Sequence, residues 1–306
     1  MGTHETALES AARDGERVRH GRSVKAAPAD LAADMARLIA DGYTAAELTV
    51  ETLYCIVGGR LLERNVARVA EVCASFASRL VYSVHAPAAL DLRDQQYPAV
   101  HRDILLSCVR FAAAIGARVL VVHYEARAGD PVVEGQYRAA IEQAADLAGR
   151  HEIILGIENI EIERTERVIE FLEALRHPAA RMTYDFAHDY LASDLFGYDH
   201  LESARACAPY AAHLHLTDNL GRFNPARLGD FTLYRAIPAA DINITGLGDL
   251  HLPLGWGMLA AGSIYSQFAA RHYRGLLISE HRRPAFAEQD AEVCRAMQVL
   301  TASSPA

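Results

Sequence analysis

Nine side chains able to bind a metal ion recur along the 306-residue chain: His85, His123, Glu158, Asp185, His188, His215, Asp249, His251 and Glu280. Imidazole nitrogens and carboxylate oxygens are the donors that Zn2+, Mn2+, Co2+ or Fe2+ takes. Most of the nine fall where short apolar runs end. RLVYSVH closes on His85, RVLVVHY carries His123, EIILGIEN carries Glu158, and RMTYDFAH carries Asp185 with His188 three residues on. AAHLHLTD carries His215 and GLLISEH carries Glu280, while Asp249 and His251 lie in the loop between those two runs. One polar residue after an apolar run is ordinarily a strand meeting solvent, and His85 alone would be read that way. Six runs in succession point instead to a shared site for one to three ions. Glu158 and Asp185 weigh most, because a carboxylate beside Gly-Ile or Thr-Tyr is costly to bury without a partner.

Residues so far apart can meet only if the runs are parallel strands whose carboxyl ends converge. Strands are expected at 46–52, 79–85, 118–124, 152–159, 181–188, 211–218 and 275–281, with a weaker eighth near Gly21–Ala26. Helical periods fill 29–41, 60–77, 99–116, 133–150, 164–176, 199–208, 258–272 and 286–300. In 133–150, Tyr137, Ile141, Ala144, Ala145 and Ala148 form one apolar stripe. Strands apolar on both faces belong to a parallel sheet covered by helices. Eight units over this length predict an α/β fold of the (β/α)8 TIM-barrel kind, with chemistry at the strands' carboxyl ends. No GxGxxG follows the first strand, as a dinucleotide fold would need. We expect residues 1–20 to be a poorly ordered tail or an extra helix, and 21–300 to be one barrel. An insertion at about 217–248, rich in Gly, Pro, Asn and aromatics, reads as a lid. His213 is expected to be a hydrogen-bonded core histidine, and His281 to face away from Glu280.

The composition, 51% hydrophobic and 23% charged, is that of a globular protein. A net charge of −9 removes the broad basic footprint of a nucleic-acid binder. A local groove stays open, since the insertion holds Arg222, Arg227 and Arg235 with Phe223, Phe231 and Tyr234. Cys55, Cys73, Cys108, Cys207 and Cys294 form no CxxC pair, against a disulfide framework or a thiolate zinc site. No apolar stretch reaches the length of a membrane span and the N-terminal segment is charged, so a cytoplasmic protein acting on a small molecule is expected.

Seven segments recur in a telling order: VHAP (84–87), VVHYE (121–125), GIEN (156–159), YDFAH (184–188), HLTDN (215–219), DLHLPLGWG (249–257) and SEH (279–281). In them, from about Leu80 to Arg282, the chain resembles the xylose isomerase-like TIM barrels, which include the sugar-phosphate isomerase/epimerase group and endonuclease IV. The resemblance implies the barrel and a divalent-metal site at its strand ends. In epimerase-like members one metal is held by residues matching Glu158, Asp185, His215 and Glu280. The two glutamates there also exchange substrate protons, and the match to His188 contacts substrate. In endonuclease IV matches to all nine residues hold three zinc ions. This sequence supplies every one, yet many sugar-isomerase-like sequences share the DxHxPxGxG pattern, so both readings stand. Trp256 takes the place of a common acidic residue and would either wall the substrate or simply pack, with Arg222 as a further substrate contact. The leading expectation is a metal-dependent isomerase or epimerase of a small sugar, polyol or sugar phosphate, working through an enediolate. The alternatives are a multi-metal phosphoester hydrolase and a metal-binding barrel without catalysis. Barrels of this kind often form homo-oligomers.

Overall fold

The computed structural model describes residues 17–229, 234, 236–282 and 285–302. Eight parallel strands close a barrel: β1 Arg19–Val24, β2 Ala45–Thr49, β3 Val81–His85, β4 Val119–His123, β5 Ile154–Glu158, β6 Ala180–Asp185, β7 Ala211–Leu216 and β8 Leu276–Ser279. Each strand pairs with the next in sequence, and β8 returns to β1 through Arg19↔Leu276 to Arg22↔Ser279. The weakly signalled eighth strand is therefore real, and it starts at Arg19, two residues inside the expected tail. Residues 1–16 of that tail lie outside the described residues.

The covering helices are α1 Leu31–Ala40, α2 Glu63–Phe76, α3 Pro98–Ala114, α4 Pro131–Arg150, α5 Glu166–Leu175, α6 Phe186–Phe196, α7 His200–Cys207, α8 Ala261–Ala269 and α9 Asp290–Ala302. Local chemistry sets their starts. Before α4, Asp130 caps the Val132 N–H and Pro131 occupies the first turn, where its missing N–H costs nothing. The Tyr137–Ala148 stripe of α4 is buried as its period requires. No described helix is long and apolar enough to cross a membrane.

Period-two alternation divides the strands between two cores. Outward residues such as Leu214, Leu216, Val84 and Leu120 join the helices in one large cluster. Inward residues low in the barrel are apolar, with Ala45, Leu276 and Ile278 packed on Val81, and Val119, Val121 and Ile154 beside them. Higher on the same inward faces stand Glu47, Ser83, His213 and His215, all fully buried. Gly156 is needed at that level, because a Cβ there would lie 2.2 Å from Thr183 Oγ1. One barrel thus passes from an apolar base to a polar top, and the polar top is where ligand-type residues collect.

The insertion is pinned at its root. Asp218 and Leu252 exchange backbone hydrogen bonds of 3.0 and 2.9 Å. The Asp218 carboxylate also accepts from the N–H groups of Asn219, Gly255 and Leu259. Within it are a 3-10 turn, Pro225–Leu228, and a short helix, Ala239–Thr245, too brief for the sequence period to reveal.

Candidate metal centre

Register brings the strand ends level. Across neighbouring strands His123 stands opposite Glu158, and Asp185 opposite His215. β6 runs straight into α6, so Asp185 is at once the last strand residue and the helix cap, accepting the His188 N–H at 2.6 Å. That cap fixes the carboxylate and sets His188 one turn into the helix, over the same opening.

Donor atoms of Glu158, Asp185, His215 and Glu280 all lie within 4.8 Å of one another. His215 Nδ1 is 2.7 Å from Glu158 Oε1, 3.1 Å from Glu280 Oε2 and 3.9 Å from Asp185 Oδ2. A single ring nitrogen offers at most one proton to these three carboxylates, which are almost wholly buried. A divalent cation among them would satisfy all four donors together, so the residues fit such an ion.

A second ring of residues adjoins this group. His85 Nε2 is 3.1 Å and His123 Nε2 3.4 Å from Glu158 Oε2. His188 Nε2 lies 3.6 Å and His251 Nε2 2.5 Å from Asp249 Oδ2. Three of these imidazoles share one logic. His85, His188 and His251 each donate Nδ1–H to a backbone carbonyl, of Ala86, Asn159 and Glu280 respectively. In each neutral ring Nε2 is then a lone pair aimed at a carboxylate, an arrangement that only a proton or a cation between them makes favourable. Asp249 Oδ1 is buried without a hydrogen-bond partner among the described residues.

Charge follows from these contacts. Burial pushes the Glu158 carboxyl up, but His215, His123 and the hydrogen bonds from His215 and His85 outweigh it and hold it well below the ordinary range. Glu280 is likewise held low, burial being overcome chiefly by His215. Burial drives Asp185 up to about 7, with Glu158 and Glu280 adding to it against His188 and His215. For His85, burial is outweighed by Glu158, and the ring rises to about 9. Burial takes His123 down to about 4, with His85 and His188 adding to the fall against Glu158 and Glu280, and without the hydrogen bond to Glu158 that raises His85. Without a cation, protons on His85, His188 and His215 do the neutralising.

A cleft of about 200 Å3 opens from the group to solvent. Its walls include Lys25 just beyond β1 and Thr49 at the end of β2, with Glu161 and Arg227. Arg227 is held by Glu161 at 2.6 Å. Neither Arg222 nor Trp256 lines it: Arg222 is exposed, and Trp256 is half exposed with its ring edge-to-face on Phe286. Among the described residues, the insertion's cation at the cleft is Arg227. Phe231 and Arg235 lie outside the described residues. His213 is fully buried, 3.3 Å from Ser83 Oγ, and His281 faces α9 through Asp290.

Glu47, absent from the sequence-level candidates, is 0% exposed and 3.0 Å from the Nε2 of His215. Its signal was a lone carboxylate inside an apolar run, AELT, sharing a face with Ala45 and Thr49.

The family profile described as xylose isomerase-like TIM barrel matches residues 35–301. No curated protein sequence matches the chain. Among solved structures, a D-tagatose 3-epimerase-like protein superposes with a TM-score of 0.68 at 16% identity, over 93% of this chain and 99% of its own. The Escherichia coli 3-keto-D-glucoside 4-epimerase gives 0.63 at 13% identity, over 92% and 100%. A xylose isomerase-like TIM barrel protein from Mycobacterium smegmatis, in complex with magnesium, gives 0.67 at 16% identity, over 94% and 97%. These likenesses extend along nearly the whole barrel. The chain belongs to the xylose isomerase-like TIM barrel family.

Proposed function

We propose that the protein is a divalent-metal-dependent isomerase or epimerase of a small sugar, polyol or sugar phosphate. The observation that carries this is the meeting of Glu158 and Glu280, from β5 and β8, at one nitrogen of His215 beside Asp185. Glu158, Asp185, His215 and Glu280 would hold the cation, which when bound supplies Lewis acidity that loosens the C–H next to a substrate carbonyl. Glu158 and Glu280 are both held low by their histidines, so either can take that proton; the other would first take a proton from solvent and then return it at the far side of the carbon, and exchange with solvent would reset the pair. His188, at the cleft wall, would hold a substrate oxygen through Nε2. The cleft admits one small molecule, and epimerases among the structural neighbours support a sugar as that molecule.

The test is proton exchange. The Mn2+-loaded protein is incubated in D2O with ketohexoses, ketopentoses and their phosphates, and C–H loss beside the carbonyl is followed by NMR. Turnover with deuterium incorporation is expected, slowed about 10²–10⁴-fold in Glu158→Gln and Glu280→Gln. Turnover of any of these sugars with no deuterium entering product overturns the reading.

A second reading has one specific observation in its favour. His85, Glu158 and His215 also form a donor group, and His123, His188, Asp249 and His251 extend it. Two or three ions there would suit hydrolysis of a phosphoester, with hydroxide generated near neutral pH. Two or more zinc or iron ions per chain after metal reconstitution would favour it.

A further inference from the structure

Glu47 has no part in that chemistry, yet it is fully buried on the inner face of β2. Its Oε1 lies 3.0 Å and its Oε2 3.2 Å from His215 Nε2. Ser83 Oγ donates to Oε2 at 2.9 Å, and His213 Nε2 is 3.4 Å away. An anion placed in a dry barrel costs several kcal/mol unless well paired, and hydrophobic residues of similar volume often serve stability as well. What a carboxylate does there that an apolar residue cannot is to choose which nitrogen of His215 carries the proton.

The choice matters because His215 is the reverse of its neighbours. His85, His188 and His251 present Nε2 to the site, whereas His215 presents Nδ1, 2.7 Å from Glu158. Left alone, a neutral His215 would put its one proton on Nδ1 toward Glu158 and have no lone pair for a cation. We propose that Glu47 is a positioning residue that keeps the His215 proton on Nε2, so that Nδ1 remains a donor for the divalent cation. This rests on the metal centre of the proposed function. Ser83 takes part by fixing Glu47 from the other side.

Co2+ binding, followed by its visible absorption, tests the idea in the full chain. Glu47→Gln keeps an oxygen that can accept from Nε2–H and removes only the charge. Its Co2+ affinity is expected to fall about 10–100-fold, as for other partners of metal-bound histidines. At a pH where His215 carries a single proton, the 15N spectrum of the metal-free variant is expected to show that proton shared between the two nitrogens while the parent keeps it on Nε2, a change that a merely structural role would not produce. Ser83→Ala, a milder change should Glu47→Gln fold poorly, is expected to weaken Co2+ in the same direction. Unchanged Co2+ affinity in both variants, with tight binding by the parent protein, overturns this inference and leaves the proposed function standing. Loss of one whole Co2+ per chain in Glu47→Gln would make Glu47 a ligand and also overturns it. A parent protein that binds no Co2+ removes both.

Discussion

Replacing Asp185 by Asn separates a metal centre from an ordinary buried charge cluster, because the two predict opposite signs. Asn can still accept the His188 N–H, so the cap of α6 survives and only the charge goes. In the metal-free protein Asp185 rises from 3.8 to about 7. Between those values the folded chain holds a proton that the unfolded chain has lost, so this group makes stability fall as pH rises through that window. At pH 8 the burden reaches up to about 4 kcal/mol, at 1.36 kcal/mol per unit. That figure already includes the attraction of Asp185 for His188, which the variant also loses. Chelator-treated Asp185→Asn should therefore melt no lower than the chelator-treated parent. A cation at about 1,000 times its Kd adds roughly 4 kcal/mol to the parent. With an unfolding entropy of about 2.1 cal/mol/K per residue over this length, that is a rise of about 6 °C. The variant, short of one of its donors, should gain under about 2 °C. Differential scanning calorimetry at pH 8, with EDTA and then with Mn2+, Co2+ or Zn2+, reads all four states. A parent whose melting ignores both chelator and cations refutes the reasoning, and so does a variant that gains as much as the parent.

Other outcomes follow from the same geometry. Alanine at His123 or His251 should leave one ion per chain by elemental analysis, since the four-residue group needs neither; a fall from two or three ions to one would instead establish a cluster. Asp218→Ala strips three backbone N–H groups of their acceptor and should cost about 3 kcal/mol, roughly 5 °C in melting temperature. Proteolysis should then begin in the insertion, and cleavage elsewhere first would contradict the pinning role. His20, against Thr301 on the barrel's other side, is lowered to about 4 by burial. The unfolded chain binds that proton first, so stability is lost as pH falls from 6.5 toward 4. Urea titrations of His20→Gln should show a shallower acid slope than the parent, and an identical slope would refute it.

The barrel was legible where a strand's two faces carry different chemistry. β5 and β6 announce themselves because apolar residues run up to a carboxylate that has no place in an outer core. β1 was faint for a physical reason. Gly21 sits where a Cβ would be 2.7 Å from the Ala45 carbonyl, and Arg22 turns outward to bond Asp34 and approach Asp290. Neither leaves an apolar run to read. The insertion resisted for another reason, since a segment without period gives no rule for which arginine turns inward. Arg227 rather than Arg222 reaches the cleft through its bond to Glu161, a contact fixed by tertiary structure alone.

The orientation of the histidines lies at a deeper level still. The sequence names the residues at the strand ends but not which nitrogen faces the centre, because that depends on groups every sequence contains. Backbone carbonyls of Ala86, Asn159 and Glu280 take Nδ1–H from the three rim histidines and turn Nε2 inward. His215 lies lower, on the inner face of β7, with its Nε2 directed at Glu47 and Ser83 beyond that carboxylate on β3. A carboxylate below and three above face its two nitrogens, whereas His85, His188 and His251 each give Nδ1 to a backbone carbonyl and turn only Nε2 to a carboxylate. That difference supports His215 with Glu158, Asp185 and Glu280 as the proposed cation site, while the rim histidines line the cleft.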